Sequence, residues 1–378
     1  MATELPATIY DVETPCALVD IDRVKKNVQR MIDNCTNLGV ELRPHMKTHK
    51  TIEGGELMTA GTKRKIVVST IAEAEFYADG GFDDIIFASP MVKERISKRV
   101  ISLATRLEAF HVMVDSVVGM QGVIDTPLDG DKKWNVFMEV DCGYGRTGCV
   151  WDSDDALMIC RKAAAAEHVR FQGLYNHCGN TYVPDKDQKS QIQLTTVDRL
   201  VELKKRLEAD GIPVPRFGCG STPSCSRPIN NMGVLTEFHP GNYIFYDYMQ
   251  VLVGSCSMDD IAMKIVTTVI SHKPEVGTLV VDCGWNCISQ DGCERPKDTL
   301  PLGYTPIVDH PELRMRAMTQ EIGKIEGNGE AIDYSKFPLG TRLYLYPHHS
   351  CATAGLQPKY YVHSGDKILD IWIPNRGW

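Results

Sequence analysis

No uncharged apolar stretch in this chain approaches the roughly 20 residues that a bilayer-spanning helix needs. Met1 to Tyr10 carries neither the basic nor the apolar segment of a secretory leader. The expected location is therefore the cytoplasm, with no membrane partner. There is no long Lys/Arg tract, and the formal net charge is −8, so nucleic acid is not an expected partner either. A small anion can still be held locally, because the field of a site differs from that of the whole surface. The 13 cysteines form no CxxC pair and no regular framework. That argues against a disulfide scaffold and for buried thiols in a reducing compartment. No GxGxxG follows the first strand-like segment, which weakens a dinucleotide-binding sheet. Internal repeats and low-complexity tracts are also missing.

What is present is a chain of 378 residues, 43% hydrophobic and 24% charged, long enough for two domains or a barrel with an appendage. Short apolar runs alternate with amphipathic segments over the first two-thirds. The runs lie at Ala17 to Val19, Val40 to Leu42, Ile66 to Ser69, Asp84 to Phe87, Phe110 to Val114, Asn135 to Val140, Phe171 to Tyr175 and Arg216 to Gly220. Eight such units predict a parallel sheet closed as a (β/α)8 TIM barrel over 14–252, with an open doubly wound sheet as the rival. Beyond that, β-rich runs without helices predict a second, mostly antiparallel β domain from 1–13 plus 253–378. The stretch from Gln290 to Pro306, rich in Gly, Pro and Asp, is expected to be a loop.

Chemistry concentrates where barrel enzymes place it, after the strands. Arg43-Pro44-His45-Met46-Lys47-Thr48-His49-Lys50 packs five cationic or titratable side chains into eight residues. Most lysines are simply solvated, but one set among other cations can serve as a Schiff-base nucleophile. Strand alternation puts Arg43, His45 and Lys47 on one face and leaves Lys50 outside it, which favours Lys47. Gly220-Ser221-Thr222 and Gly241-Asn242-Tyr243 are small turns rich in N–H groups. Either is ordinarily only a turn, but near the last barrel strands both can cradle a phosphate. His349 and Cys351 stand two apart, so on a strand both would face one ion; imidazole with thiolate suits Zn²⁺, and two protein ligands leave positions open. His348 should face the other way.

These blocks, with Gly80-Gly81-Phe82-Asp83-Asp84-Ile85, His177-Cys178-Gly179-Asn180-Thr181-Tyr182, Gly220-Ser221-Thr222-Pro223-Ser224, His239-Pro240-Gly241-Asn242-Tyr243, Asp282-Cys283-Gly284-Trp285 and Arg376-Gly377-Trp378, span nearly the whole chain. Together they make it resemble the eukaryotic D-serine dehydratase family, kin to the D-threonine aldolases, pyridoxal-phosphate enzymes of the alanine-racemase-like fold. The resemblance implies a homodimer whose pyridoxal 5'-phosphate is carried on Lys47. Its phosphate is placed on Ser221, Thr222, Gly241 and Asn242, and its ring beside Tyr175. A metal on His349 and Cys351 is implied, zinc by the thiolate, with Mn²⁺ or Mg²⁺ as alternatives. The implied reaction dehydrates the D-amino acid D-serine to pyruvate and ammonia; the alternative is cleavage of D-threonine to glycine and acetaldehyde. A cofactor carrier without turnover and an interaction scaffold are the non-enzymatic alternatives. Two places depart from the family pattern. Ile322 stands where relatives show a histidine before Gly323, and Ser289-Gln290-Asp291-Gly292 replaces an expected Ser-Leu-His-Gly.

Overall fold

The computed structural model describes residues 5–296 and 299–378, which form two compact units, Met1–Asn27 with Ile244–Pro374 and Val28–Tyr243 with Asn375–Trp378. The larger unit is a ring of parallel strands. In order they are Glu41–Leu42, Ile66–Val68, Asp84–Pro90, Ala109–Val114, Trp134–Asp141, Val169–Asn176, Arg216–Cys219 and Glu237–Phe238. The last pairs with the first, and a parallel bridge between His45 and Val67 joins the first to the second. The predicted eight-stranded barrel is therefore present.

Its membership differs from the sequence expectation by one strand. Cys16–Asp20 lies outside the ring, pairing antiparallel with Met263–Lys273 and parallel with Tyr360–Ser364 in the other unit. A continuous buried apolar run fits any fully covered strand, so its periodicity could not tell one sheet from the other. Residues 14–27 and 244–252, expected in the barrel, fall in the β-rich unit instead. The eighth place is taken by the two-residue strand Glu237–Phe238, too short to show a pattern.

Intervening helices start where short polar side chains can accept a backbone hydrogen bond. Thr51, Thr70, Ser97, Ser116, Ser153 and Asp185 each accept from the N–H three residues on, an arrangement worth about 1 kcal/mol per helix. Inside the ring, alternate residues meet in layers. Val67, Ile86, Met113, Phe137 and Tyr175 form an apolar layer. Another layer is charged. The fully buried Arg43 donates through Nη1 to Asp84 (2.7 Å) and through Nε to Glu237 (3.2 Å). His111 lies 3.0 Å from the same Asp84 oxygen, and His239 3.0 Å from Glu237. Burial alone would raise both carboxyls. The His111 hydrogen bond and Arg43 charge at Asp84, and the Arg43 charge at Glu237, outweigh it and hold both well below the usual carboxylate range.

The second unit has an eight-stranded sheet. Leu313–Met318, Gly323–Gly327, Thr278–Val281, Met263–Lys273, Cys16–Asp20, Tyr360–Ser364 and Lys367–Trp372 follow in order, with Arg342–Leu345 also on Met263–Lys273. All pairings are antiparallel except that of Cys16–Asp20 with Tyr360–Ser364. One core cluster, including Ile9, Cys16, Leu18, Val266, Tyr361 and Ile368, explains why the extreme N-terminal strand belongs here. Leu313–Met318 and Gly323–Gly327 were not expected, although Leu313-Arg314-Met315-Arg316 alternates apolar and charged residues as a half-exposed strand does. Within the expected 290–306 loop, residues 297 and 298 lie outside the described residues, as do 1–4 of the N-terminal stretch.

Arg43→Ala should leave two buried carboxylates without their cation and cost about 3–5 kcal/mol. Urea unfolding followed by circular dichroism should show a lowered midpoint; an unchanged one would contradict the assigned role.

Candidate active site

The strand Glu41–Leu42 ends two residues before the cationic motif turns, so strand alternation does not govern Lys47. Met46–Thr48 is a short 3-10 turn whose N-cap is His45, which accepts a hydrogen bond from the Lys47 N–H at 3.3 Å. Arg43 and His45 still project into the ring. Lys47 sits half-buried just past its rim. Lys50 is committed to Glu73 at 2.9 Å, whereas no carboxylate among the described residues pairs with Lys47. The structure thus separates the two lysines on partnership.

The surroundings of Lys47 are mostly imidazoles, with the guanidinium of Arg146 as the added charge. Burial, then the charge of Lys47, followed by His177, His239 and Arg146, keeps His45 neutral. Burial, then Arg146 and Lys47, pushes His177 down to about 3. His49 is likewise pushed down to about 3 by burial. An anionic ligand is favoured in such a field. Arg146 is therefore part of this mouth. It lies 3.8 Å from Glu139 and over the Tyr144 ring.

Tyr175 is buried in the ring and stacks on His239, with ring centroids 4.2 Å apart and planes at 10°. The strand between them contributes Gly218, which pairs with both Tyr175 and Glu237. A Cβ there would lie 2.8 Å from His239 Cε1, so only glycine lets the imidazole cross the strand. Glu237 accepts from Nε2, and His239 Nδ1 is buried with no hydrogen-bond partner among the described residues. His239 was quoted in the sequence only within its block; nothing in the spacing marked its ring.

The two turns flank Lys47. Ser221 caps the five-residue helix Thr222–Ser226, sharing a capping box with Ser224, and its Oγ lies 2.6 Å from Thr181 Oγ1. Thr222 is buried at the start of that helix. Gly220 lies against His239, where a Cβ would come within 2.6 Å of its backbone nitrogen. Gly241 rests on the His45 carbonyl, a Cβ there falling 2.7 Å from the oxygen, and Asn242 opens the next 3-10 turn. Four consecutive strand ends thus bring buried hydroxyls and close-packed glycine backbone beside one cationic lysine. These residues fit a phosphate-bearing aromatic aldehyde.

The other unit holds the second site. His349 and Cys351 are not on a strand. Asp247 is buried, and its carboxylate accepts the Ser350 N–H at 2.8 Å while also capping Tyr248–Leu252. The chain therefore turns into the helix Ser350–Leu356, with His349 as N-cap. The pair still meets. Burial opposes charge on His349, but the Cys351 sulfur and a hydrogen bond donated to Asp291, whose Oδ2 lies 2.6 Å from Nδ1, push the imidazole well up. His348 is buried, edge-on to Tyr248 and against Gly292. No set of three His, Cys, Asp or Glu among the described residues is placed to hold a metal. Imidazole and thiol in contact nevertheless match the donor chemistry of a two-ligand, open zinc site.

The family described as alanine racemase, N-terminal domain matches residues 19–249, and a putative serine dehydratase domain matches 262–363. A D-serine dehydratase of Dictyostelium discoideum is 34% identical, over 98% of both chains. The structure of D-threo-3-hydroxyaspartate dehydratase from Delftia sp. HT23 superposes with a TM-score of 0.91 at 30% identity, over 98% of this chain and all of that one (100%). A cysteine-to-alanine variant of a D-threo-3-hydroxyaspartate dehydratase, solved in metal-free form, gives 0.92 at 29% identity, over 98% and 100%.

The neutral imidazoles couple stability to pH. Their folded-state proton affinity lies below the ordinary value, so the unfolded chain binds protons more readily. Stability should be intact above 6.5 and fall progressively as pH drops from there toward about 3, the range set by His49 and His177. The thermal midpoint should therefore decrease between pH 7.5 and 5, and a flat profile over that interval would contradict the neutral assignment.

Proposed function

The chain belongs to the alanine-racemase-like family that includes the D-serine dehydratases, and from that premise we propose that it is a pyridoxal-phosphate lyase that dehydrates D-serine to pyruvate and ammonia. One observation carries the reading. Lys47 is an amine with no carboxylate partner among the described residues, set beside neutral imidazoles, Arg146 and two close-packed turns.

When bound, pyridoxal phosphate supplies an electron sink for charge at the substrate Cα, and a divalent ion supplies a Lewis acid for the β-hydroxyl. The rest falls to the chain. Lys47 Nζ would hold the cofactor aldehyde and would serve as the base for the Cα proton. Ser221, Thr222, Gly241 and Asn242 hold the phosphate, and Arg146 contributes positive charge at the mouth. Tyr175 and His239 form a stack fixed through Glu237 to Arg43, and Tyr175 would flank the cofactor ring. His349 and Cys351 would hold the metal. The thiolate favours Zn²⁺ over the harder Mn²⁺ and Mg²⁺, which supports dehydration over aldol cleavage. Ile322 brings no acid or base to its position. The same reading has the protein as a cytoplasmic homodimer; no helix among the described residues is long and apolar enough to cross a membrane.

Purified enzyme should form a keto acid from D-serine in preference to glycine and acetaldehyde from D-threonine; the reverse preference would select the aldolase. Lys47→Ala should lose the visible cofactor band and borohydride trapping. Cys351→Ala should keep the band while losing metal and turnover, and full metal content in that variant would remove Cys351 from the site.

A further inference from the structure

We propose that Asp291 positions His349 for metal binding, an outer carboxylate that fixes the imidazole's rotation and strengthens it as a donor; this rests on the metal-dependent reading above. Asp291 Oδ2 lies 2.6 Å from His349 Nδ1. With Nδ1 occupied, the nitrogen left to meet a metal is Nε2. A ligating histidine usually passes its other N–H to a carboxylate, carbonyl or water, and that partner sets both tautomer and orientation.

The local backbone is built to hold this carboxylate in place. The Asp291 N–H donates to Ser289 Oγ at 3.1 Å. The Ser289 N–H donates to Thr353 Oγ1 at 3.1 Å, and Thr353 lies on the helix that carries Cys351. On the other side Gly292 has φ +88, and a Cβ there would sit 2.7 Å from three atoms of the His348 ring. The Ser289–Gly292 turn is thus tied at one end to the helix of one metal ligand and pressed at the other against the neighbour of the second. Asp291 lies between these anchors. It acts beside the metal pair and not as a third ligand, consistent with the lack of any three-residue metal set among the described residues. The departure Gln290-Asp291 from the family pattern therefore has a physical consequence: a carboxylate stands behind the ligating ring.

The test uses the full-length, cofactor-loaded protein stripped of metal with a chelator. Zinc affinity is measured by competition with a chromophoric chelator, and the Co²⁺ form by its d–d and thiolate charge-transfer bands. Asp291→Ala should weaken zinc binding about 10–100-fold and shift the Co²⁺ bands, with circular dichroism unchanged. Asp291→Asn, which keeps a hydrogen-bond acceptor, should restore part of the affinity. Wild-type affinity and spectrum in Asp291→Ala would overturn the assignment. So would loss of a directly bound oxygen in that variant by X-ray absorption, since Asp291 would then be a ligand. Failure of the wild type to bind zinc, or undiminished binding by His349→Ala, would instead overturn the metal reading on which the assignment stands.

Discussion

The barrel unit depends on one buried cation. Arg43 joins three strands of the ring, with Asp84 and Glu237 as its partners. Burying so much charge is costly, and it is tolerable only because each carboxylate oxygen facing the guanidinium is paired. The arrangement does more than close the ring. Arg43 starts the segment whose next turn presents Lys47, and Glu237 fixes His239, which stacks on Tyr175. A single ionic layer thus adjoins the segment that carries the amine and anchors the His239 ring of the Tyr175 stack.

Much of this was legible beforehand, for identifiable reasons. The ring announced itself through repeated buried runs, and helix starts through Thr70 and its companions. Lys47 stood out because cations crowd its motif. What escaped the sequence was pairing at a distance. Cys16–Asp20 looked like a barrel strand because a fully buried strand reads alike in either sheet. Glu237–Phe238 carried no pattern at all. His349 and Cys351 lie side by side, but not on the strand that their spacing suggested. A strand was assumed, whereas the carboxylate of Asp247, 103 positions away from Ser350, bends the chain into a helix there. Asp291 was noticed only as an anomaly, since its contact with His349 spans 58 positions.

The two units handle charge in opposite ways. In the barrel, histidines are stripped of their protons by burial and by neighbouring cations, so an incoming anion meets neutral rings and two fixed positive charges. In the β-rich unit, His349 is surrounded by a thiol and carboxylates, an environment that draws cations in. The chemistry proposed here needs both, an anion-loving mouth for the cofactor and a cation-loving pair for the metal.

The long reach of the Arg43 clamp also bears on how the chain acquires its fold. Glu237 lies 194 residues beyond Arg43, and closure of the ring relies on the two-residue strands at its ends. During synthesis the guanidinium leaves the ribosome long before its second carboxylate exists. Until that partner arrives, the nascent barrel keeps a seam that cannot shut, because non-local pairing must wait for the chain that completes it. Such a polypeptide has reason to remain open, and to need shelter from aggregation, until synthesis has passed its two-thirds mark.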